Sequence, residues 1–336
     1  MNTQQQNQIM NIKFWGTRGS RTVADADFLR YGGNTTCVEV NVGKNVLVFD
    51  AGSGFNKFAK NYQERVQAGE ANPYLHIFLS HPHPDHTMGL EQPALMFDGT
   101  IAKTLHAGAF RRVGEEVTLG WSAEQLYAGL FRQPYSADLG ELHRKFGKLG
   151  LANHDLDNTV VIGSGPEKIS VTAFAVPHIS LPLGANDLSV GFRITSGSTS
   201  ACILTDFSNE YGETGKPIID MDIVDKIRGA DLLIADSMYS DADLCRNPAL
   251  KGFGHTTRET VATYAARAGI KRVIHTHHNP DDNDDKLKTR ELINAFGAGL
   301  KGVFAVFAKE GRTLPLAPLP PVNYRPQAEL VGHEVG

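Results

Sequence analysis

Leu79-Ser80-His81-Pro82-His83-Pro84-Asp85-His86 is the stretch that decides how the rest of the chain is read. Three imidazoles and one carboxylate fall within six consecutive positions, directly after the apolar run Leu75 to Leu79. A strand that ends in such a cluster delivers all four groups to one edge of a sheet. Imidazole nitrogens and carboxylate oxygens together form the donor set of borderline divalent metals, zinc first, with manganese or iron as alternatives. His81 and His83 alternate and so can face one ion, while Asp85 and His86, where the chain turns, can face a second. An isolated histidine is more often a satisfied core or surface residue than a ligand. Four donors at this density have no such explanation, because unpaired buried imidazoles and carboxylates are costly.

The spacing His81-x-His83-x-Asp85-His86 resembles the HxHxDH signature of the metallo-β-lactamase-fold hydrolases. Prolines occupy the x positions, where family members often carry other residues, frequently an aromatic before the aspartate; the ligands are intact. The resemblance implies an α/β fold, an αββα sandwich of two mixed β-sheets flanked by helices. Upstream, F-W-G-T-R-G-S (14–20), Y-G-G-N-T-T-C (31–37) and F-D-A-G-S-G (49–54) resemble the N-terminal region of a phosphodiesterase-type branch. Arg18, Asn34 and, further on, Thr257 are the expected substrate contacts. Arg18 and Arg21 read equally well as solvated or salt-bridged loop arginines. Asp50, at a strand end where family members place a DxG, is expected to orient a metal histidine, with a turn former as the bland reading.

Downstream, the strand Ile169 to Val176 ends at Pro177-His178, where the fold expects a third ligand for the first ion. The apolar run Cys202 to Thr205 leads into Asp206, which in family members bridges both ions with one oxygen to each; a turn aspartate is the alternative. Gly254-His255-Thr256-Thr257 resembles the H-[ST]-T element of the phosphodiesterase and tRNA 3′-processing branches, in which the histidine assists catalysis. Thr256 and Glu259 have capping-box spacing, so His255 precedes a helix N-terminus, a place that favours an anion and lowers an imidazole's pKa. Arg272 to Ile274 leads into His275-Thr276-His277-His278. Alternation alone leaves His275 open as the last ligand. The family pattern T-H-H-x-P favours His277, with His278 in reserve.

The 336 residues are 41% hydrophobic and 21% charged, an ordinary globular composition. The expected organisation is a disordered N-terminus at 1–8 and a metallo-β-lactamase-fold domain at 9–311. A helical insertion at about 108–158 covers the site or forms a subunit contact, and a Pro-rich C-terminal arm runs over 312–336. Within the insertion, Trp121, Leu126, Tyr127, Leu130, Phe131, Leu142 and Phe146 read as apolar anchors. A net charge of −4 supplies no global basic field, so no long nucleic acid is expected as partner. Three scattered cysteines without CxxC spacing point to a reducing, cytoplasmic setting. No apolar run reaches the roughly 18 residues a membrane span needs. A homodimer is expected.

Collected by the resemblance, His81, His83 and His178 hold ion one, Asp85, His86 and His277 hold ion two, and Asp206 is shared. Such a centre hydrolyses a phosphodiester by attack of a metal-bridging hydroxide. Asp85 is positioned to orient it, and His255 to assist the leaving group. A small phosphodiester, a cyclic nucleotide or cyclic phosphate, is the expected substrate. A nuclease of the tRNA 3′-processing type, or a thioester or lactone hydrolase on the same cage, is the alternative. A flavodiiron oxidoreductase is disfavoured, because it usually carries glutamate at the place of His83.

Overall fold

Short runs of β-branched and aromatic residues separated by glycine turns favour strands over helices through most of this chain. The computed structural model describes residues 9–91, 93–131, 139–178, 187–236 and 238–317. The first part comprises β1 (Met10–Gly16), β2 (Cys37–Val42), β3 (Asn45–Phe49), α1 (Phe55–Gln67) and β4 (Tyr74–Phe78). Two single turns, α2 (Pro84–Thr87) and α3 (Ala94–Phe97), precede the long β5 (Ala102–Val113) and β6 (Glu116–Ser122). Then come α4 (Ala123–Leu130), α5 (Leu139–Gly147), β7 (Leu149–Asn153), β8 (Thr159–Ile162), β9 (Ile169–Pro177), β10 (Asp187–Ser196) and β11 (Thr199–Leu204). The last part holds α6 (Met221–Ile227), β12 (Leu232–Asp236), α7 (Asp241–Arg246), α8 (Arg258–Arg267), β13 (Arg272–Thr276), α9 (Asp284–Gly299), β14 (Phe304–Phe307) and β15 (Thr313–Leu316).

β15-β1-β2-β3-β4-β5 form one mixed sheet, with β7 parallel to β5; β14-β13-β12-β11-β10-β9-β8 form the other. β5 is the seam, since its far end pairs with β10 at Asp187↔Arg111 and Leu188↔Phe110. Three apolar layers follow. Val38, Val40, Phe49 and Phe78 meet Val190, Phe192, Ile203 and Ile234 between the sheets. Phe55, Phe58 and Tyr62 of α1 cover the outer face of the first sheet, and Val224, Val261 and Ala265 of α6 and α8 cover that of the second. Helix, sheet, sheet, helix is the expected sandwich. No helix among the described residues is long and apolar enough to cross a membrane.

The segment 108–158 departs from the helical expectation. Its first part is the β5–β6 hairpin and its last is β7, with α4 and α5 between. Aromatics at spacing compatible with a helix also alternate along a strand, and the periodicity does not separate the two. Tyr127 and Phe131 are buried as expected of anchors, whereas Trp121, Leu142 and Phe146 are exposed. Of the Pro-rich tail, Thr313–Leu316 pairs with β1 as an edge strand, where Pro315 can sit opposite Asn11 without removing an internal ladder bond. The 1–8 and 318–336 parts of the expected termini lie outside the described residues.

On and beside the metal-bearing strand lie three buried histidines that belong to neither donor cluster of the site. His76 Nδ1 is 2.9 Å from His106 Nε2, His106 stacks on Phe78 at 4.3 Å, and His154 Nε2 donates to the Leu79 carbonyl at 2.7 Å. Burial pushes His76 and His154 down to about 4 and His106 down to about 3. They are neutral when folded but take a proton near pH 6.5 when unfolded. Their stabilisation is therefore full above that pH and is lost as pH falls toward the folded values. Between pH 7 and 5 the loss is about 2 kcal/mol per histidine. Urea unfolding at the two pH values should show His106→Gln losing about 2 kcal/mol less than the parent; an identical loss would refute the assignment.

Candidate metal centre

Every candidate ligand stands just beyond the C-terminal end of a strand. β4 leads to His81, His83, Asp85 and His86, β9 to His178, β11 to Asp206 and β13 to His277. β11, β12 and β13 are parallel, so these ends share one edge, the edge where open α/β sheets place ligands. Three residues at strand ends are left-handed: Asp50 at φ 58°, Asp206 at φ 42° and His277 at φ 58°. Non-glycine residues rarely adopt this conformation, and where they do it tends to serve a site. At His277 it breaks the strand alternation that left His275 open. His275 packs edge-on against Phe307 instead, and His278 Nε2 donates to the Ala308 carbonyl at 2.9 Å, so His277 is the histidine that joins the centre. Gly19 lets the first loop close over it, for a Cβ there would fall 2.3 Å from the His277 ring.

Two groups of donors result. His81, His83, His178 and Asp206 have ligand atoms within 4.8 Å of one another, as do Asp85, His86, Asp206 and His277. Asp206 divides its oxygens between them: Oδ2 is 3.5 Å from His81 Nε2, and Oδ1 is 3.3 Å from His86 Nε2 and 3.0 Å from His277 Nδ1. All seven expected ligands are thus brought together. His86 Nε2, His277 Nε2 and Asp206 Oδ1 are buried there, and the close approach of His86 Nε2 to Asp206 Oδ1 is not a well-directed hydrogen bond. Buried polar atoms left so in a native fold ask for a partner, and this donor set fits a divalent cation in each group.

Charge agrees with that fit. Burial, and then the neighbouring imidazoles, hold His81 well below its usual pKa, and burial brings His178 to about 4, so both present the neutral form that ligates metal. Burial alone would protonate Asp85 and Asp206, but the surrounding histidines hold both carboxyls well below their usual range. For His86, burial is outweighed by Asp206, Asp85 and Asp50, which raise it.

Asp50 ties the ligands in place from behind. It accepts from the Ser80 N–H at 2.7 Å, the Ser80 hydroxyl at 2.9 Å, the Thr205 hydroxyl at 2.9 Å and His86 Nδ1 at 2.8 Å. Ser80 Oγ in turn lies 3.0 Å from His81 Nδ1. One carboxylate therefore fixes the ring orientation of a histidine in each group, and anchors the residue before Asp206. His178 is fixed separately, its Nδ1 donating to the Gly254 carbonyl at 3.0 Å. Asp85 Oδ2 accepts from the Ser20 N–H at 2.7 Å.

His255 lies over both groups, its ring 5.0 Å from that of His277 and 6.2 Å from that of His178. Its Nδ1 is 2.7 Å from Asp236 Oδ2. The expectation that the helix end lowers its pKa is reversed. Burial does disfavour the imidazolium, but Asp236 outweighs it and His255 is raised to about 9. Asp236 went unassigned in the sequence, although it closes an apolar strand, Leu232 to Ala235, just as Asp206 follows one.

The three expected substrate contacts are spent elsewhere. Arg18 is fully buried, and its guanidinium donates to the carbonyls of Gly32, Asn279 and Asp282. Asn34 donates to Glu310 and accepts from Ser53. Thr257, not Thr256, is the N-cap of α8: its hydroxyl accepts from the Thr260 N–H and donates to Asp241. Short polar side chains and arginines in turn-rich loops serve backbone groups as readily as ligands, and sequence does not separate the two uses. Arg21 pairs with exposed Asp281.

The chain is similar to a ribonuclease Z from Azobacteroides pseudotrichonymphae genomovar. CFP2, at 23% identity over 265 residues, covering 76% of this chain and 86% of that protein. Its structure is similar to unliganded yeast PDE1, with TM-score 0.65, 14% identity, and 92% of this chain and 100% of that one covered. It is also similar to the short form of human tRNase Z, with TM-score 0.55, 18% identity, and 92% and 100% covered. A family model described as "Beta-lactamase superfamily domain" matches residues 45–278, a span that takes in every residue of the two donor groups. The chain belongs to the β-lactamase superfamily and has its metallo-β-lactamase fold.

Proposed function

We propose that this chain is a dinuclear-metal phosphodiesterase acting on a small phosphodiester, a cyclic nucleotide or cyclic phosphate, with zinc as the metal. It is a metal-dependent hydrolase by its family and its two donor groups. The observation that carries the phosphodiester reading is the Asp236–His255 pair, which holds a protonated imidazole against the shared carboxylate. When bound, two divalent ions supply a nucleophilic hydroxide and neutralise the charge that develops on phosphorus. Around them, Asp85 is held by the Ser20 amide in the position of a group that orients the attacking oxygen. His255 carries a proton on the nitrogen that Asp236 does not engage, ready for a phosphoryl oxygen or the departing alkoxide. Asp236 keeps that ring in one orientation.

The curated relative's name, ribonuclease Z, favours a second reading, in which the substrate is the 3′ end of a tRNA precursor. A small substrate is preferred because twenty-eight positions separate His178 from Asp206, and the described ones are the β10–β11 hairpin. That leaves little chain there for a long RNA-gripping arm. The test is to assay zinc-loaded protein against bis-p-nitrophenyl phosphate, a lactone, a thioester, a panel of cyclic mono- and dinucleotides, and a tRNA with a 3′ trailer. Turnover of the cyclic nucleotides that falls about 10²–10⁴-fold in His255→Ala, with metal content kept, is the expected result. Turnover of the lactone or thioester alone would overturn the phosphodiester reading. Trimming of the tRNA without hydrolysis of any cyclic nucleotide would replace it with the second.

A further inference from the structure

The chain has two tryptophans, and they sit in opposite surroundings. Trp15 is buried in the core of the first sheet, whereas Trp121 is 55% exposed. A cavity of about 310 Å³ opens beside the first donor group, and its lining includes His81, His83 and His178 together with Phe110, Trp121 and Leu126. That size is at the lower end of what small-molecule sites occupy, and such sites combine an apolar lining with a few polar groups. Here the polar groups are the three histidines of the first donor group and Asp187.

Trp121 reaches the cavity through an irregularity in the hairpin. Along β5 and β6, Leu119 is opposite Phe110 and Trp121 is opposite Ala109, so Gly120 is an extra residue in the ladder. A bulge of this kind turns the strand and re-aims the neighbouring side chain, and bulges concentrate beside active sites. Leu126, from the following helix, lines the same cavity.

We propose that Trp121 and its apolar neighbours form the subsite for a nucleobase of the substrate. The inference rests on the phosphodiesterase reading, which sets phosphorus at the donor groups and leaves the organic part of the ester to occupy the adjoining space. An indole presents a flat π surface, and base-on-aromatic stacking is strong yet tolerant of which base is bound. The subsite therefore selects nucleoside esters over esters of bare sugars or alkyl alcohols. Trp121 acts here as a specificity residue and touches no reacting atom.

Calorimetric titration of full-length zinc-loaded protein with AMP, ribose 5-phosphate and hexyl phosphate tests this. AMP should bind about tenfold more tightly than ribose 5-phosphate, and should quench the emission of Trp121 while buried Trp15 gives a constant background. Trp121→Ala should erase the preference for AMP, and Trp121→Phe should keep most of it, both with the parent's zinc content. An unchanged preference in Trp121→Ala, or hexyl phosphate binding as tightly as AMP, would overturn the subsite and leave the phosphodiesterase reading standing. Failure of all three phosphates to bind would remove both.

Discussion

Replacing Asp206 by alanine should reduce the zinc content from about two ions to one or fewer, and slow bis-p-nitrophenyl phosphate hydrolysis at least about a thousandfold. The expectation follows from where its oxygens lie, with Oδ2 toward His81 and Oδ1 toward His86 and His277. Among the described residues, Asp206 is the carboxylate that belongs to both of the histidine-rich groups. A purely structural role forecasts the same loss of stability with and without zinc. Burial works against the charge on Asp206, but His277 and His86 outweigh it and hold the carboxyl well below its usual range, so the charge is paired even without a cation. In excess chelator the alanine variant should therefore melt below the parent, and in zinc it should lose most of the parent's zinc-dependent gain as well. Elemental analysis and calorimetry with and without zinc read both. A variant that keeps two ions and full turnover would dismiss the shared-carboxylate centre.

The second large effect concerns the proton on His255. Burial works against the imidazolium, and Asp236 at 2.7 Å reverses that balance, to a value of about 9. A group that must be protonated to act loses its effect as pH rises through its pKa. The alkaline limb of kcat/KM should therefore move to lower pH when Asp236 is replaced by asparagine, by about one unit or more. His255→Ala should cost about 10²–10⁴-fold in kcat and abolish the limb. Asp236→Asn should cost less at pH 6 than at pH 8, because the free imidazole regains its proton in acid. Equal losses at both pH values would mean that Asp236 only positions the ring.

Legibility in the sequence followed the physics of each part. The ligands were readable because His81, His83, Asp85 and His86 are contiguous, and because His178 and Asp206 each end an apolar run. Periodicity does not choose among His275, His277 and His278; the family pattern favours His277, and the left-handed turn there supplies the physical reason. Asp50 is readable as a support only through its place in the family pattern; that it serves both donor groups depends on Ser80, Thr205 and His86 meeting in space. Arg18 misled because a phosphate and a set of backbone carbonyls attract a guanidinium equally well. The hairpin of β5 and β6 reads as helix in the sequence because its apolar residues do not separate strand alternation from helical spacing.

The clasp made by Arg18 has a consequence for biosynthesis. Its guanidinium joins the end of the first strand to carbonyls at positions 279 and 282, on the loop that follows His277. Two segments more than 250 positions apart are thus fastened together beside His277, a member of the second donor group. A chain still emerging from the ribosome can display His81 and His83 while lacking His277, and so has an incomplete second group of donors. The two-group centre is complete only after both segments that Arg18 joins have been made.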